Sequence, residues 1–264
     1  MRSNREIRLI GRENLRGNYL ASIANIFLMG LAGFALQWVI LSVTGNTYND
    51  FGGGNGDDVV ALFFMILVGL ASTLLSLGFT WGFLDMHDGE RMTVGHLFLP
   101  FQNQPLKVVG FVFLKGILIY LWTLLLIIPG VVKSYSWAMA EYIYYDHPDI
   151  PNRHILAKSE EIMRGNRWQL FRLDFFYIVA YIVPILVWGF AVYMGFINSV
   201  LEGYLANEAG LAYLFWAFLS GAILMVGISI LSFIIEPRRY AARAVFYTEL
   251  VGIDEEEDEE LTDF

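Results

Sequence analysis

Fifteen of the seventeen Lys and Arg residues fall in four short clusters, and long apolar runs hold those clusters apart. The clusters are Arg2, Arg5, Arg8, Arg12 and Arg16; Arg91 and Lys107; Arg153, Lys158, Arg164, Arg167 and Arg172; and Arg238, Arg239 and Arg243. Loops rich in Lys and Arg stay on the cytoplasmic side of a membrane because their translocation is disfavoured. The pattern therefore predicts an integral membrane protein and sets its orientation.

Composition agrees. Only 16% of the 264 residues are charged, against about 25% in a typical soluble domain. The net charge of −9 is concentrated at one end, where residues 254–264 carry eight acids. A run of like charge reads as a solvated, disordered cytoplasmic tail, leaving 1–253 as a single membrane domain. No cysteine is present, which removes disulfides, thiolate metal sites and cysteine nucleophiles. The first apolar run, Tyr19 to Val43, is far longer than the ~7–15 residues of a signal-peptide core. It reads as a retained span.

A span needs about 20 apolar residues. Segments 19–43, 59–84 and 210–235 qualify without an ionised side chain inside; 173–197 has only Asp174, at its start, and 106–128 has Lys107 at its start and Lys115 inside. The positive-inside rule asks for one crossing more. The third span leaves from the Arg91/Lys107 side, yet the next basic cluster, Arg153 to Arg172, must again be cytoplasmic. A short return over 131–147 satisfies both, with Pro129 and Gly130 as the hairpin turn on the outer face. Re-entry of that segment alone would put everything downstream on the wrong side. The expected fold is all-α, with six transmembrane helices and amphipathic helices on the cytoplasmic surface. Loops 45–58 and 198–209 carry no Lys or Arg and are expected outside.

Two of the basic stretches have helical periodicity. Ile155, Ile162, Met163 and Leu170 share a face within 154–171, as do Ile7, Ile10 and Leu15 within 5–19. Such helices lie at headgroup level, where each basic residue contributes about 1 kcal/mol against anionic lipid. Arg12, Arg16, Arg153, Lys158, Arg164 and Arg167 are the candidate lipid-surface contacts. The segment Glu13-Asn14-Leu15-Arg16-Gly17-Asn18 also returns 148 residues later as Glu161-Ile162-Met163-Arg164-Gly165-Asn166. Each copy precedes a pair of spans, the mark of a parallel repeat about an axis along the membrane normal.

The run from Leu121 to Ser136, LWTLLLIIPGVVKSYS, with Asp146-His147-Pro148-Asp149, Met163-Arg164-Gly165-Asn166 and Phe246-Tyr247-Thr248-Glu249-Leu250, resembles a family of bacterial integral membrane proteins of unknown function. That family is in turn similar to the membrane domain of glycerophosphodiester phosphodiesterases. The resemblance implies six spans and a place in the bacterial cytoplasmic membrane, and it implies no activity. Arg238 after Pro237 and His147 before Pro148 depart from the family's usual residues.

Ionisable groups inside the bilayer are costly and mark pairs or pathways. Folding the chain at Pro129-Gly130 brings Lys115 and Glu141 to within about 4–5 Å in depth, so they form the candidate intramembrane pair, with Asp174 as an alternative partner for Lys115. The turn Asp85-Met86-His87-Asp88-Gly89-Glu90 holds potential cation ligands but no recognised spacing. No phosphate-binding, nucleophile-elbow or zinc-protease motif occurs. The expectation is a non-enzymatic protein without a catalytic residue, metal or cofactor, whose partners are the bilayer, anionic lipids and other membrane proteins, and not nucleic acid. Both termini are expected to be cytoplasmic. Scaffolding, chaperoning or lipid organisation is the first expectation, and a small transporter or export permease around Lys115 and Glu141 is the second.

Overall fold

A computed structural model describes residues 1–44, 57–102, 104–201 and 208–262. Every regular element among them is helical. In chain order they are α1 (Asn4–Asn14), α2 (Tyr19–Thr44), α3 (Asp57–His87), a 3-10 turn (Val94–Phe98), α4 (Leu99–Gln102), α5 (Pro105–Leu125), α6 (Ile127–Ser136), α7 (Ala140–Asp146), α8 (Asn152–Ile162), α9 (Arg167–Leu201) and α10 (Glu208–Thr262).

Five of these helices are long and apolar enough to cross a membrane: Tyr19–Val39, Leu62–His87, Pro105–Leu125, Arg167–Asn198 and Ala212–Gly252. The sixth expected span, 131–147, is not one helix. It is divided between α6 and α7 at 137–139, and pieces of 10 and 7 residues are each far below the roughly 20 that a crossing takes. The interruption is held by side chains. Ser159 donates its hydroxyl to the Ser136 carbonyl at 3.0 Å, and the Trp81 indole donates to the Glu141 carbonyl at 2.9 Å. The Ser136 carbonyl, which the broken helical ladder leaves open, is thereby satisfied, and the Trp81 bond ties α7 to α3.

The reversal before α6 also departs from expectation. The chain turns at Leu126, which is extended (φ −159°, ψ 137°), and Pro129 and Gly130 lie inside α6. Proline is tolerated there because the first-turn N–H groups of a helix have no intrahelical partner. Gly130 is needed for approach, since a Cβ on it would stand 2.7 Å from Thr123 Cα on α5. The glycine seals the hairpin and does not make the turn.

The packed core gathers at one end of the bundle. On α3 the buried apolar residues begin at Leu74, on α10 at Ile235, and on α9 they end at Tyr177. This is the end that carries the basic clusters. Toward the other end, Leu62, Phe63, Ile66, Leu186, Val187, Phe190 and Phe218 are all exposed. Contiguous apolar surface of that extent needs a covering, and lipid supplies one.

The two amphipathic helices bury their apolar faces in protein. Ile7, Gly11 and Leu15 of the first stretch pack on α10, where a Cβ on Gly11 would meet the Ala242 backbone nitrogen at 2.9 Å. Ile155, Ser159 and Met163 hold the same three positions 148 residues later, all fully buried. The elbows that follow match bond for bond. Gly17 (φ 89°) and Gly165 (φ 88°) both adopt the left-handed region, Asn18 donates to the Leu15 carbonyl, and Asn166 donates to the Met163 carbonyl, each at 3.1 Å. The short sequence match thus corresponds to a recurring helix–elbow–helix unit. At the far end, α10 stays helical to Thr262, where a disordered tail was expected; Glu is a good helix former and no breaker follows Gly252.

Close backbone approach gives a direct test of this packing. Gly78→Ala places a Cβ 2.7 Å from the Leu97 carbonyl oxygen, and overpacking of this kind costs about 1–3 kcal/mol. It is expected to lower the thermal midpoint of the detergent-purified protein. Gly30→Ala, which meets nothing within 4 Å, is expected to leave the midpoint unchanged or slightly raised.

Candidate functional site

The charges that the sequence places on apolar helices meet at the base of the α5–α6 hairpin. Lys115 Nζ on α5 donates to Glu141 Oε1 on α7 at 2.8 Å. Asp174 takes a different partner from the one expected. It is 1% exposed and is held by Arg243 on α10, whose Nε donates to Oδ1 at 2.9 Å while a terminal nitrogen donates to Oδ2. The two-pronged geometry matches the planar guanidinium to the carboxylate and is the stronger kind of ion pair.

A cavity of about 380 Å³ lies against these groups, lined by Lys115, Ile119, Ser134, Tyr135, Ala138, Glu141 and Arg243. Another, of about 280 Å³, lies on the opposite side of Lys115 and Glu141 and reaches Thr73, Ser76 and Phe111. Two cations and two carboxylates thus sit together with cancelling charge. The arrangement suits an amphiphile whose head carries both signs, or an ion that exchanges places with one partner.

A second polar group ties the hairpin to the surface helices. Lys133 on α6 donates to Glu160 Oε1 on α8 at 2.6 Å and lies over the Trp122 and Trp137 rings, 5.4 and 5.3 Å from their centroids. Arg167 reaches the same carboxylate at 3.7 Å. The Lys133 bond holds the Glu160 carboxyl below its ordinary range. Sequence reading gave no role to Lys133, Glu160 or Arg243. The available signal was that Lys133 and Lys115 are the two cations outside the four clusters.

The candidate surface residues are placed plainly. Arg12, Arg16, Arg153, Lys158 and Arg164 are exposed, and Arg167 is half-buried beside Glu160.

Asp85 in the last turn of α3 and Glu90 and His96 beyond it bring one potential ligand atom each to within 4.8 Å of one another. Two carboxylates and an imidazole form a set that several divalent metals accept. Here the Thr93 backbone N–H donates to His96 Nδ1 at 3.0 Å, which leaves Nε2 to donate to Asp85 Oδ2 at 3.1 Å. Tyr145 donates to both oxygens of the same carboxylate, at 2.8 and 2.9 Å. The hydrogen bond to Asp85 raises the His96 pKa above its ordinary value. With every donor matched, the group braces the loop against α3. His87 bridges other elements, with Asn14 Nδ2 at 2.8 Å and the Thr248 hydroxyl at 3.2 Å.

Residues 117–204, about a third of the chain, match the family described as "Protein of unknown function (DUF975)". No curated protein and no solved structure matches. The expected likeness to glycerophosphodiester phosphodiesterases is not shown. The matched stretch contains the hairpin tip, α6, α7, α8 and all of α9, and so holds Glu141, Lys133, Glu160 and Asp174 together.

Because Asp174 is almost wholly buried, its loss leaves Arg243 uncompensated, a change worth about 3–5 kcal/mol. Asp174→Asn is therefore expected to lower thermal stability in detergent well below that of Lys115→Ala, whose pair is more open. Equal, small shifts in both variants would contradict the ranking.

Proposed function

We propose that the protein is a multi-pass protein of the bacterial cytoplasmic membrane, with both termini cytoplasmic, that organises anionic lipid and other membrane proteins through a basic cytoplasmic face. It acts without catalysis, as a scaffold or chaperone. The observation that carries this reading is the coincidence of the packed core with the exposed basic residues. Leu74 to Met86, α7, α8 and Ile235 to Leu250 form a rigid base, and Arg12, Arg16, Arg153, Lys158 and Arg164 project from it. Fixed cations beside a bilayer attract acidic headgroups at about 1 kcal/mol each. They are held in place by folded protein, since the apolar faces beneath them are already buried.

Replacing Arg153, Lys158 and Arg164 by Gln, which leaves the buried faces of α8 intact, is expected to reduce the anionic phospholipid that co-purifies, measured by native mass spectrometry, at least several-fold. An unchanged ratio of anionic to zwitterionic lipid, together with unchanged co-purifying proteins, would count against the proposal. The cavity at Lys115 and Glu141 favours a second reading, a small permease. Transport of an amphiphile in liposomes that Lys115→Ala abolishes would move the assignment to that reading.

A further inference from the structure

The outgoing limb α5 of the α5–α6 hairpin is long enough to cross a bilayer, but the hairpin's placement among the other helices is too low for that. Two hydrogen bonds set the register of its return limb against α3. Trp81 meets Glu141 and Asp85 meets Tyr145, a constant offset of sixty residues with both chains running the same way. That register belongs to α7, since the chain is interrupted at 137–139; even a straight helical continuation to Leu126 would bring the tip no further than the level of Ile66, nine residues below the start of α3 at Asp57. The shortfall is about 13 Å at 1.5 Å per residue. The outgoing limb agrees, because Thr73, Ser76 and Leu77 share a cavity with Phe111, Lys115 and Ile119.

The comparison with α10 gives a larger shortfall. Lys115 and Glu141 stand beside Arg243, on the inward side of Arg238 and Arg239. The tip lies eleven residues past Lys115, about 16 Å, whereas α10 continues 35 residues outward from Arg243 to Glu208, about 52 Å. A tilt of about 20° shortens either figure by less than a tenth.

The polar groups point the same way. Lys133 is only seven residues past Leu126, yet it pairs with Glu160 and neighbours Arg167, both within the third basic cluster's helices. In a full crossing this pair would lie in hydrocarbon, at high cost. At the base of a half-inserted hairpin it lies at headgroup level. Beyond it, Leu124 to Ile128 are 67–77% exposed without one polar side chain. Charge placement does not require a crossing either. A hairpin that enters and leaves by one face keeps Arg91, Lys107 and the Arg153–Arg172 cluster together just as two crossings would.

We infer that α5–α6 is a re-entrant hairpin, inserted from the cytoplasmic face, whose tip lies among the acyl chains of the inner leaflet. Four helices then cross the membrane: α2, α3, α9 and α10. The sidedness rests on the orientation proposed above; the depth does not.

The cysteine-free chain gives a clean test. Ile127 is 74% exposed and can be replaced without disturbing packing, unlike Gly130 against Thr123. In intact cells, Ile127→Cys is expected to resist a membrane-impermeant maleimide that labels Asp50→Cys and Tyr204→Cys. Labelling of all three would overturn the hairpin. Failure of the two controls alone would overturn the orientation, and depth is then decided by a nitroxide at position 127 in the purified, reconstituted protein. High accessibility to oxygen and low accessibility to a water-soluble nickel chelate are expected. Nickel access would overturn the insertion, and low access to both reagents would show a protein covering the tip in place of lipid.

Discussion

Ionised side chains cannot be left in hydrocarbon without a partner, and most of the fold follows from how this chain meets that constraint. Its stray charges are drawn to one level of the bundle and paired there: Asp174 with Arg243, Lys115 with Glu141, and Lys133 with Glu160. Each pair joins helices that are distant in sequence. Arg243 fixes α10 against α9, Lys115 fixes α5 against α7, and Lys133 fixes α6 against α8. The well-packed core surrounds this level, and the helices beyond it are coated by apolar side chains with little to touch but lipid.

The same constraint explains why α10 is so long. Its apolar half suits a bilayer, but Arg238, Arg239 and Arg243 do not. The helix continues past them because its far half offers Ala241, Ala242, Val245, Phe246 and Leu250 as a buried face for α1 and α3. Small residues make that contact close. Gly11 meets Ala242, and Gly78 and Gly82 admit the loop that carries Met92, His96 and Leu97.

Much of this was legible in the sequence. Apolar length gave the long helices, and Lys/Arg spacing marked the end of the bundle where the core is packed. The Lys115–Glu141 approach followed from counting residues to a reversal. The rest was not legible for identifiable reasons. Periodicity shows that α1 and α8 have an apolar face but not whether lipid or protein covers it. Pro129-Gly130 looks like a turn, yet Thr123 on the neighbouring helix decides Gly130's role, and the chain reverses at Leu126, which has no local turn signal. The interruption between α6 and α7 depends on Ser159, far away in sequence, satisfying the Ser136 carbonyl. The partner of Asp174 comes from Arg243, 69 residues on, which the charge count had assigned to a surface cluster.

Hydrogen–deuterium exchange on the protein in lipid nanodiscs tests the central claim most directly, namely that the folded core lies at the ends of the helices that carry the basic residues. Amides of Ala140–Asp146 and of Tyr240–Leu250 lie beside the paired charges and are packed on several sides. They are predicted to exchange as slowly as those of the apolar spans, because opening them requires sub-global unfolding. Rapid exchange in both segments, with protection confined to residues sheltered by lipid, would contradict the account.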